Sequence, residues 1–233
     1  SVDYTFNNKK PYLDINKIIF AIKDQKPKLI CIPNPDSPTG QIINKKNLEK
    51  INNVSKKNKG LVLIDEAYYL FYKKSLVSSI KKYSNVIITR SASKAMAIAG
   101  LRVGILISNP SLIEKIFMNK PMYEISSLGS FFIKEIIKTK NYKLIKNSVK
   151  RLIEGKLFFI NFLKKKNIPF FESYGNFIHL NFGHSKKRVI KDLKKFLYFR
   201  ENENHKSLRG YSRLSLTSKE NFKKIAKTIN KYY

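Results

Sequence analysis

Two uninterrupted apolar runs, Leu61-Val62-Leu63-Ile64 and Val86-Ile87-Ile88, constrain the fold of this chain more than any other feature. A strand with one wet face alternates polar and apolar residues, whereas a run that is apolar throughout suits a parallel strand covered on both faces. Parallel neighbours need crossovers, and helical patterns stand where crossovers would run. Asp14 can cap a helix carrying Ile15, Ile18, Ile19 and Ile22 at helical spacing. Residues 28–33 read as a short buried strand, ended by the loop Asn34-Pro35-Asp36-Ser37-Pro38-Thr39-Gly40. Asn44 opens a second helix with Leu48 and Ile51 inward, closed by Gly60, and residues 103–107 form a further strand. The expected class is α/β: a mostly parallel sheet flanked by helices, with functional residues at the carboxyl ends of its strands.

Beyond Pro121 the pattern changes. Ile145, Val149, Leu152, Ile153, Leu157, Ile160 and Leu163 trace one face of a long helix, and Pro169 follows its end. Strands over 176–181 and 211–216 then alternate with helices over 186–196 and 219–231. This predicts a smaller C-terminal α+β domain, with residues 1–140 forming the large domain and 141–233 the small one.

Composition narrows the partners. A chain of 233 residues with 42% hydrophobic side chains can bury a core. Its single cysteine, Cys31, forms no internal disulfide and fits a reducing compartment. His179, His184 and His205 share no metal-ligand spacing with carboxylates or with Cys31, so no metal is expected. No apolar run approaches the roughly 20 residues that cross a bilayer, and a cytoplasmic protein without membrane contact is expected. The net charge of +31 suggests a nucleic-acid partner at first sight. Such binders gather Lys and Arg on one face or interleave them with stacking aromatics. Here lysines are spread from Lys9 to Lys231, so no specific nucleic acid is expected and the charge favours anionic substrates.

Three motifs follow successive strands. The first is the Pro-rich loop over 34–40, which on its own reads as a turn. The second is Asp65-Glu66-Ala67-Tyr68, where Asp65 can pair with a cationic ring nitrogen and Tyr68 can reach a phenolic oxygen on the same ring. Taken alone, Asp65 is equally a helix cap. The third is Ser91-Ala92-Ser93-Lys94, continuing through Ala99-Gly100-Leu101 to Arg102. It sets an amine beside two hydroxyls with a guanidinium eight residues on, which suits a covalently held, phosphate-bearing aldehyde. The plainer reading of Lys94 is a surface lysine in a basic chain. Asp36 and Glu66 read as solvated acids at a loop and a strand end. A doubly wound sheet would gather all three motifs in one crevice.

With these residues in hand, the chain resembles the class I/II pyridoxal-phosphate-dependent aminotransferases of fold type I, and most closely the histidinol-phosphate aminotransferase branch. The resemblance rests on residues 34–40, 65–68 and 93–104, in that order, and continues through Arg213-Leu214-Ser215-Leu216. It implies pyridoxal 5'-phosphate bound through Lys94, which would also shuttle a proton. It further implies Asp65 on the ring nitrogen, Tyr68 and Ser37 near the ring oxygen, and Ser91, Ser93 and Arg102 on the phosphate. Arg213 matches the arginine that binds the substrate carboxylate, and Arg200 aligns with a second substrate-facing arginine. The implied partners are an amino donor, a 2-oxo acid and a second copy of the chain. Two departures stand out: Ser37 replaces an asparagine, and Thr217 stands where many relatives have glycine. Members of the family carry a substantial section upstream of the point matching Ser1, so an N-terminally truncated chain is expected. The competing expectations are a noncatalytic binding protein of the same fold and a polyanion-binding protein.

Overall fold

A computed structural model describes residues 1–7, 10–122, 124–198, 200–202 and 205–233. A short antiparallel pair, β1 (Thr5–Asn7) and β2 (Lys10–Tyr12), precedes α1 (Ile15–Gln25). Asp14 caps α1 as expected, its Oδ1 accepting from Asn16 N at 2.9 Å and from Lys17 N at 3.4 Å, and Ile18 and Ile22 are buried. Next come β3 (Leu29–Pro33), α2 (Lys45–Lys57), β4 (Leu61–Asp65), β5 (Val86–Ser91) and β6 (Gly104–Ile107). Asn44 caps α2 through Asn47 N at 2.9 Å. The helix ends at Asn58, and Lys59 rather than Gly60 takes the left-handed conformation at its close, with φ 56°.

The sheet order is β3-β4-β5-β6. The pairs β3–β4 and β4–β5 are parallel, while β6 runs antiparallel to β5, which makes the sheet mixed at that edge. Two expectations are corrected here. Residues 28–33 form an edge strand rather than a buried one: Leu29 and Cys31 are exposed and only Ile32 is buried. In β4, Val62 and Ile64 are buried but Leu61 and Leu63 are partly exposed, so burial alternates despite the continuous apolar run. The covered face packs Val62, Ile64, Val86 and Ile88 against Ile18 and Ile22 of α1 and Leu48 and Ile51 of α2, the crossover from β3 to β4.

Three helices follow, α3 (Pro110–Met118), α4 (Ser127–Ile137) and α5 (Thr139–Lys165). Val149, Phe159, Ile160 and Leu163 of α5 are buried, whereas Leu157 is 54% exposed, contrary to the predicted stripe. At about 100° per residue Leu157 falls on the flank of the face centred on Ile160. A second sheet combines β7 (Phe170–Glu172), β8 (Phe177–Leu180), β9 (Arg200–Glu201) and β10 (Ser212–Ser215), all antiparallel, in the order β7-β8-β10-β9. Two more helices, α6 (Lys186–Leu193) and α7 (Lys219–Ile229), join α5 over one face, where Ile178, Leu180, Leu193, Leu214, Phe222 and Ile225 close a separate core.

The 34–40 loop ties the two sheets together. Tyr174 N donates to Gly40 O at 2.7 Å, and Gln41 Nε2 donates to Glu172 O at 3.0 Å. Gly40 is required here, because its φ is +71° and a Cβ would overlap Ser173 Oγ. Phe71 from the first unit packs into the second core, and Tyr72 meets Tyr174 edge-on at 5.2 Å.

Candidate active site at the strand ends

Parallel register brings the first two motifs to one level. Pro33 pairs with Asp65, and Asp65 with Thr89. Backbone bonds continue past the strand ends, Asn34 N to Asp65 O and Glu66 N to Thr89 O, each at 2.8 Å. The Asn34 side chain fixes the loop, its Oδ1 accepting from Ile43 N at 2.8 Å and its Nδ2 donating to Ile43 O at 3.2 Å. Asp36 accepts from Thr39 N at 3.0 Å and from the Thr39 hydroxyl.

At the end of β4, Asp65 Oδ1 accepts from Ala67 N at 3.0 Å and from Thr89 Oγ1 at 3.3 Å, which orients the carboxylate. Its Oδ2 has no hydrogen-bond partner among the described residues. Tyr68 is buried and meets Phe177 of the second sheet edge-on at 5.7 Å, yet its hydroxyl likewise has no partner among the described residues.

The third motif is a loop closed by the antiparallel β5–β6 pair. Ser91 sits opposite Gly104 and Ala92 N donates to Val103 O at 3.2 Å, which draws the two ends of the loop together. Ser91 Oγ accepts from Ser93 N at 3.0 Å. Arg102 is exposed, in the left-handed region with φ 53°, and its Nη1 donates to Ala99 O at 3.2 Å. Lys94 is exposed, with Nζ 5.5 Å from the centroid of the Tyr68 ring.

From the second sheet, Arg213 reaches toward the same place. Its guanidinium carbon lies 4.9 Å from the Phe177 ring centroid, and it has no hydrogen-bonded or carboxylate partner among the described residues. Burial, followed by the Arg200 guanidinium, pushes it below the usual guanidinium range, while the Tyr68 hydroxyl works in the opposite direction. Arg200 pairs with Arg213 across the β9–β10 ladder and is exposed.

Some sequence readings change. Asp36 and Glu66 are not solvated acids but are buried to 6% and 3% exposure. Glu66 Oε2 accepts from Arg90 Nε at 3.1 Å, from Arg90 Nη2 at 3.0 Å and from Ser75 Oγ at 2.8 Å. Arg90 in turn stacks 3.4 Å from the Tyr69 ring centroid. Ser37 is exposed and makes no hydrogen bond among the described residues. In the sequence Phe177 and His179 fall within a strand, and His179 is weighed only as a metal ligand. Their two-residue spacing indicates a shared face but not what lies opposite it. A cavity of about 660 Å³ between α7 and β10 shares none of the strand-end residues.

Residues 3–229 match the family described as aminotransferase class I and II. The chain belongs to that family. Among curated members, it is similar to the histidinol-phosphate aminotransferase of Caldanaerobacter subterraneus subsp. tengcongensis, at 32% identity over 219 residues, which is 94% of this chain and 59% of the relative. This aminotransferase-family chain therefore spans about three fifths of the length of the curated relatives it matches. The fold is that of the solved histidinol-phosphate aminotransferase from Clostridium acetobutylicum, with TM-score 0.82 and 24% identity over 97% of this chain and 69% of that one. The Sinorhizobium meliloti histidinol-phosphate aminotransferase, solved in complex with pyridoxal-5'-phosphate, superposes with TM-score 0.77 at 18% identity, covering 98% of this chain and 64% of the other. These likenesses make the α/β expectation hold: the fold is that of the fold type I enzymes. No helix among the described residues is long and apolar enough to cross a membrane.

Proposed function

We propose that this chain is a pyridoxal-phosphate-dependent aminotransferase that moves an amino group between an amino acid or amino-alcohol phosphate and a 2-oxo acid, as its histidinol-phosphate aminotransferase relatives are named to do. One observation carries the reading. Asp65 Oδ2, the Tyr68 hydroxyl and the Lys94 ammonium, none hydrogen-bonded among the described residues, stand at the ends of two adjacent strands, with Arg213, also without a hydrogen-bonded or carboxylate partner among the described residues, opposite.

The donor set suits the cofactor. Pyridoxal phosphate carries a ring nitrogen, a ring oxygen, an aldehyde and a phosphate, which call for a carboxylate, a hydroxyl, an amine and a cluster of phosphate donors. When bound, the cofactor supplies an electron sink for negative charge at the substrate α-carbon. Asp65, oriented by Ala67 N and Thr89 Oγ1, would keep a proton on the ring nitrogen. Tyr68 would donate its hydroxyl to the ring oxygen, and Ser37, exposed and shorter than asparagine, would reach that oxygen through water. Lys94 would hold the cofactor through its amine and would hold or move a proton at its Nζ on the α-carbon side. Ser91, Ser93 and Arg102 would hold the phosphate by charge-assisted and hydroxyl hydrogen bonds. Arg213 binds the substrate carboxylate, desolvated by Phe177, and Arg200 takes a second anionic group. The division into residues 1–140 and 141–233, a homodimeric assembly and a cytoplasmic location belong to the same reading.

The test is spectroscopic and then kinetic. Pyridoxal phosphate added to the purified protein should generate a visible band that Lys94→Ala abolishes, and borohydride should trap the cofactor on the Lys94 peptide. A panel of amino donors against 2-oxoglutarate then identifies the substrate. A wild-type protein with no band would overturn the cofactor assignment, and a band without transfer would leave a noncatalytic binding protein.

A further inference from the structure

His179 lies at the centre of a row of side chains that crosses the whole second sheet. Phe171 pairs with His179, His179 with Arg213, and Arg213 with Arg200. Directly opposed residues of antiparallel strands share a face, so all four point to one side. His179 is completely buried on that side, stacked on Phe171 at 4.5 Å and edge-on to Phe177 at 5.4 Å.

Its hydrogen bonds define one tautomer. The Pro38 carbonyl, 2.9 Å from Nε2, can only accept, so Nε2 carries the proton. Nδ1 is then an acceptor, facing Asn202 Nδ2 at 3.4 Å. The Asn202 amide orientation agrees, because the same Nδ2 donates to Tyr211 O at 3.3 Å. Titratable groups facing the ring are Arg213 and His205, with Arg200 beyond Arg213 and Tyr211 behind Phe171. A protonated imidazole would add a cation to this set and would lose its acceptor at Nδ1.

The three segments held by one ring matter because they come from both units. Pro38 follows Ser37 in the loop that leaves β3, Asn202 follows the β9 strand that carries Arg200, and Arg213 lies directly across the ladder from His179. We propose that His179 is a positioning residue for acid recognition: as the neutral Nε2–H tautomer it ties the Pro38 loop to the strands that present Arg213 and Arg200. The inference rests on the assignment of these two arginines to substrate anions. A loss of this tie displaces the arginines relative to the strand-end groups, and displacements of about 1 Å weaken recognition by an order of magnitude or more.

Two variants separate a positioning role from a filling one. His179→Gln keeps an amide N–H that can reach the Pro38 carbonyl, whereas His179→Leu keeps bulk only. Calorimetric binding of 2-oxoglutarate, read without turnover, should weaken about tenfold in His179→Leu and recover to within about threefold of wild type in His179→Gln. In turnover the Leu variant should raise KM with kcat and the Lys94-dependent band little changed. Unaltered 2-oxoglutarate affinity in His179→Leu, or equal losses in both variants, would overturn the inference. If the Leu variant does not fold, ¹⁵N NMR of labelled histidine in the wild type decides: an Nε2–H tautomer neutral at about pH 6 supports it, and an Nδ1–H tautomer or an imidazolium there overturns it. A missing cofactor band in wild type would instead strike the aminotransferase reading, independently of the binding and tautomer results.

Discussion

The Lys94 ammonium lies 5.5 Å from the centroid of the Tyr68 ring, so a side chain from the β5 loop meets one from the β4 end. The Tyr68 ring is buried while its hydroxyl has no hydrogen-bond partner among the described residues. Removing that oxygen therefore costs the fold little. Tyr68→Phe should change unfolding free energy by less than about 0.5 kcal/mol, yet shift the pH midpoint of the Lys94-dependent absorption band. Urea titration and spectrophotometric pH titration read the two effects separately. A stability loss well above that figure would mean that the hydroxyl is engaged internally.

Glu66 behaves differently from an exposed acid. Its side chain is 4% exposed and that of Arg90 21%, and Ser75 also donates to it. Glu66→Gln leaves the Arg90 charge partly buried with no carboxylate, and the expected cost is about 2 kcal/mol, below the full buried-pair penalty because Arg90 keeps some solvent and the Tyr69 ring. Glu135→Gln, which breaks the exposed pair with Lys138, should cost less than about 0.5 kcal/mol. Chemical denaturation of both variants checks the contrast, and equal losses would contradict it.

Gly40 joins the Pro-rich loop to Ser173. An alanine there has an unfavourable φ of +71° and brings its Cβ into Ser173 Oγ and to 2.9 Å from Ser173 Cα. Gly40→Ala should destabilise by about 2 kcal/mol or more, from left-handed strain and overpacking together. Adding Ser173→Gly should relieve the contact with the hydroxyl but not the backbone strain, so thermal unfolding should recover only in part. Full recovery would show that φ contributes nothing.

Burial pushes His179 down from its ordinary value of 6.5 to about 4, with the Pro38 bond opposing and Arg213 and His205 adding to the shift. Between those two pH values the unfolded chain binds a proton that the folded chain refuses. Stability contributed by the neutral ring is therefore complete above about pH 6.5, falls as the pH drops toward 4, and levels off below. Its full span approaches about 3 kcal/mol. Urea unfolding at about pH 7 and about pH 4.5 should show this slope in wild type and a shallower one in His179→Gln. Identical slopes would show that another group titrates in this window.

Much of the architecture was legible locally. Asp14 and Asn44 cap α1 and α2 as short-range chemistry predicts, and the apolar runs at 61–64 and 86–88 are the central strands β4 and β5. The antiparallel sense of β6 was not legible, because residues 103–107 look alike in either direction. Nor was the edge position of β3, since an apolar run does not say how many neighbours it has. Helix α4 was not legible either, because its apolar residues include exposed Leu128, Phe131 and Ile137, which blur a one-sided pattern.

By itself the sequence determined which chemistry-bearing residues exist and which strand each one follows: Asp65 and Tyr68 after β4, Ser91, Ser93 and Lys94 after β5, Arg213 within β10. Strand periodicity and cap chemistry act over a few residues, so they can be read from order alone. Only the tertiary structure decided their company. It buried Asp36 and Glu66, left Ser37 outside, and set His179 between Pro38, Asn202 and Arg213. Those outcomes depend on contacts between residues up to 141 positions apart, such as His179 with Pro38. Register and domain packing create such contacts, and no local pattern encodes them.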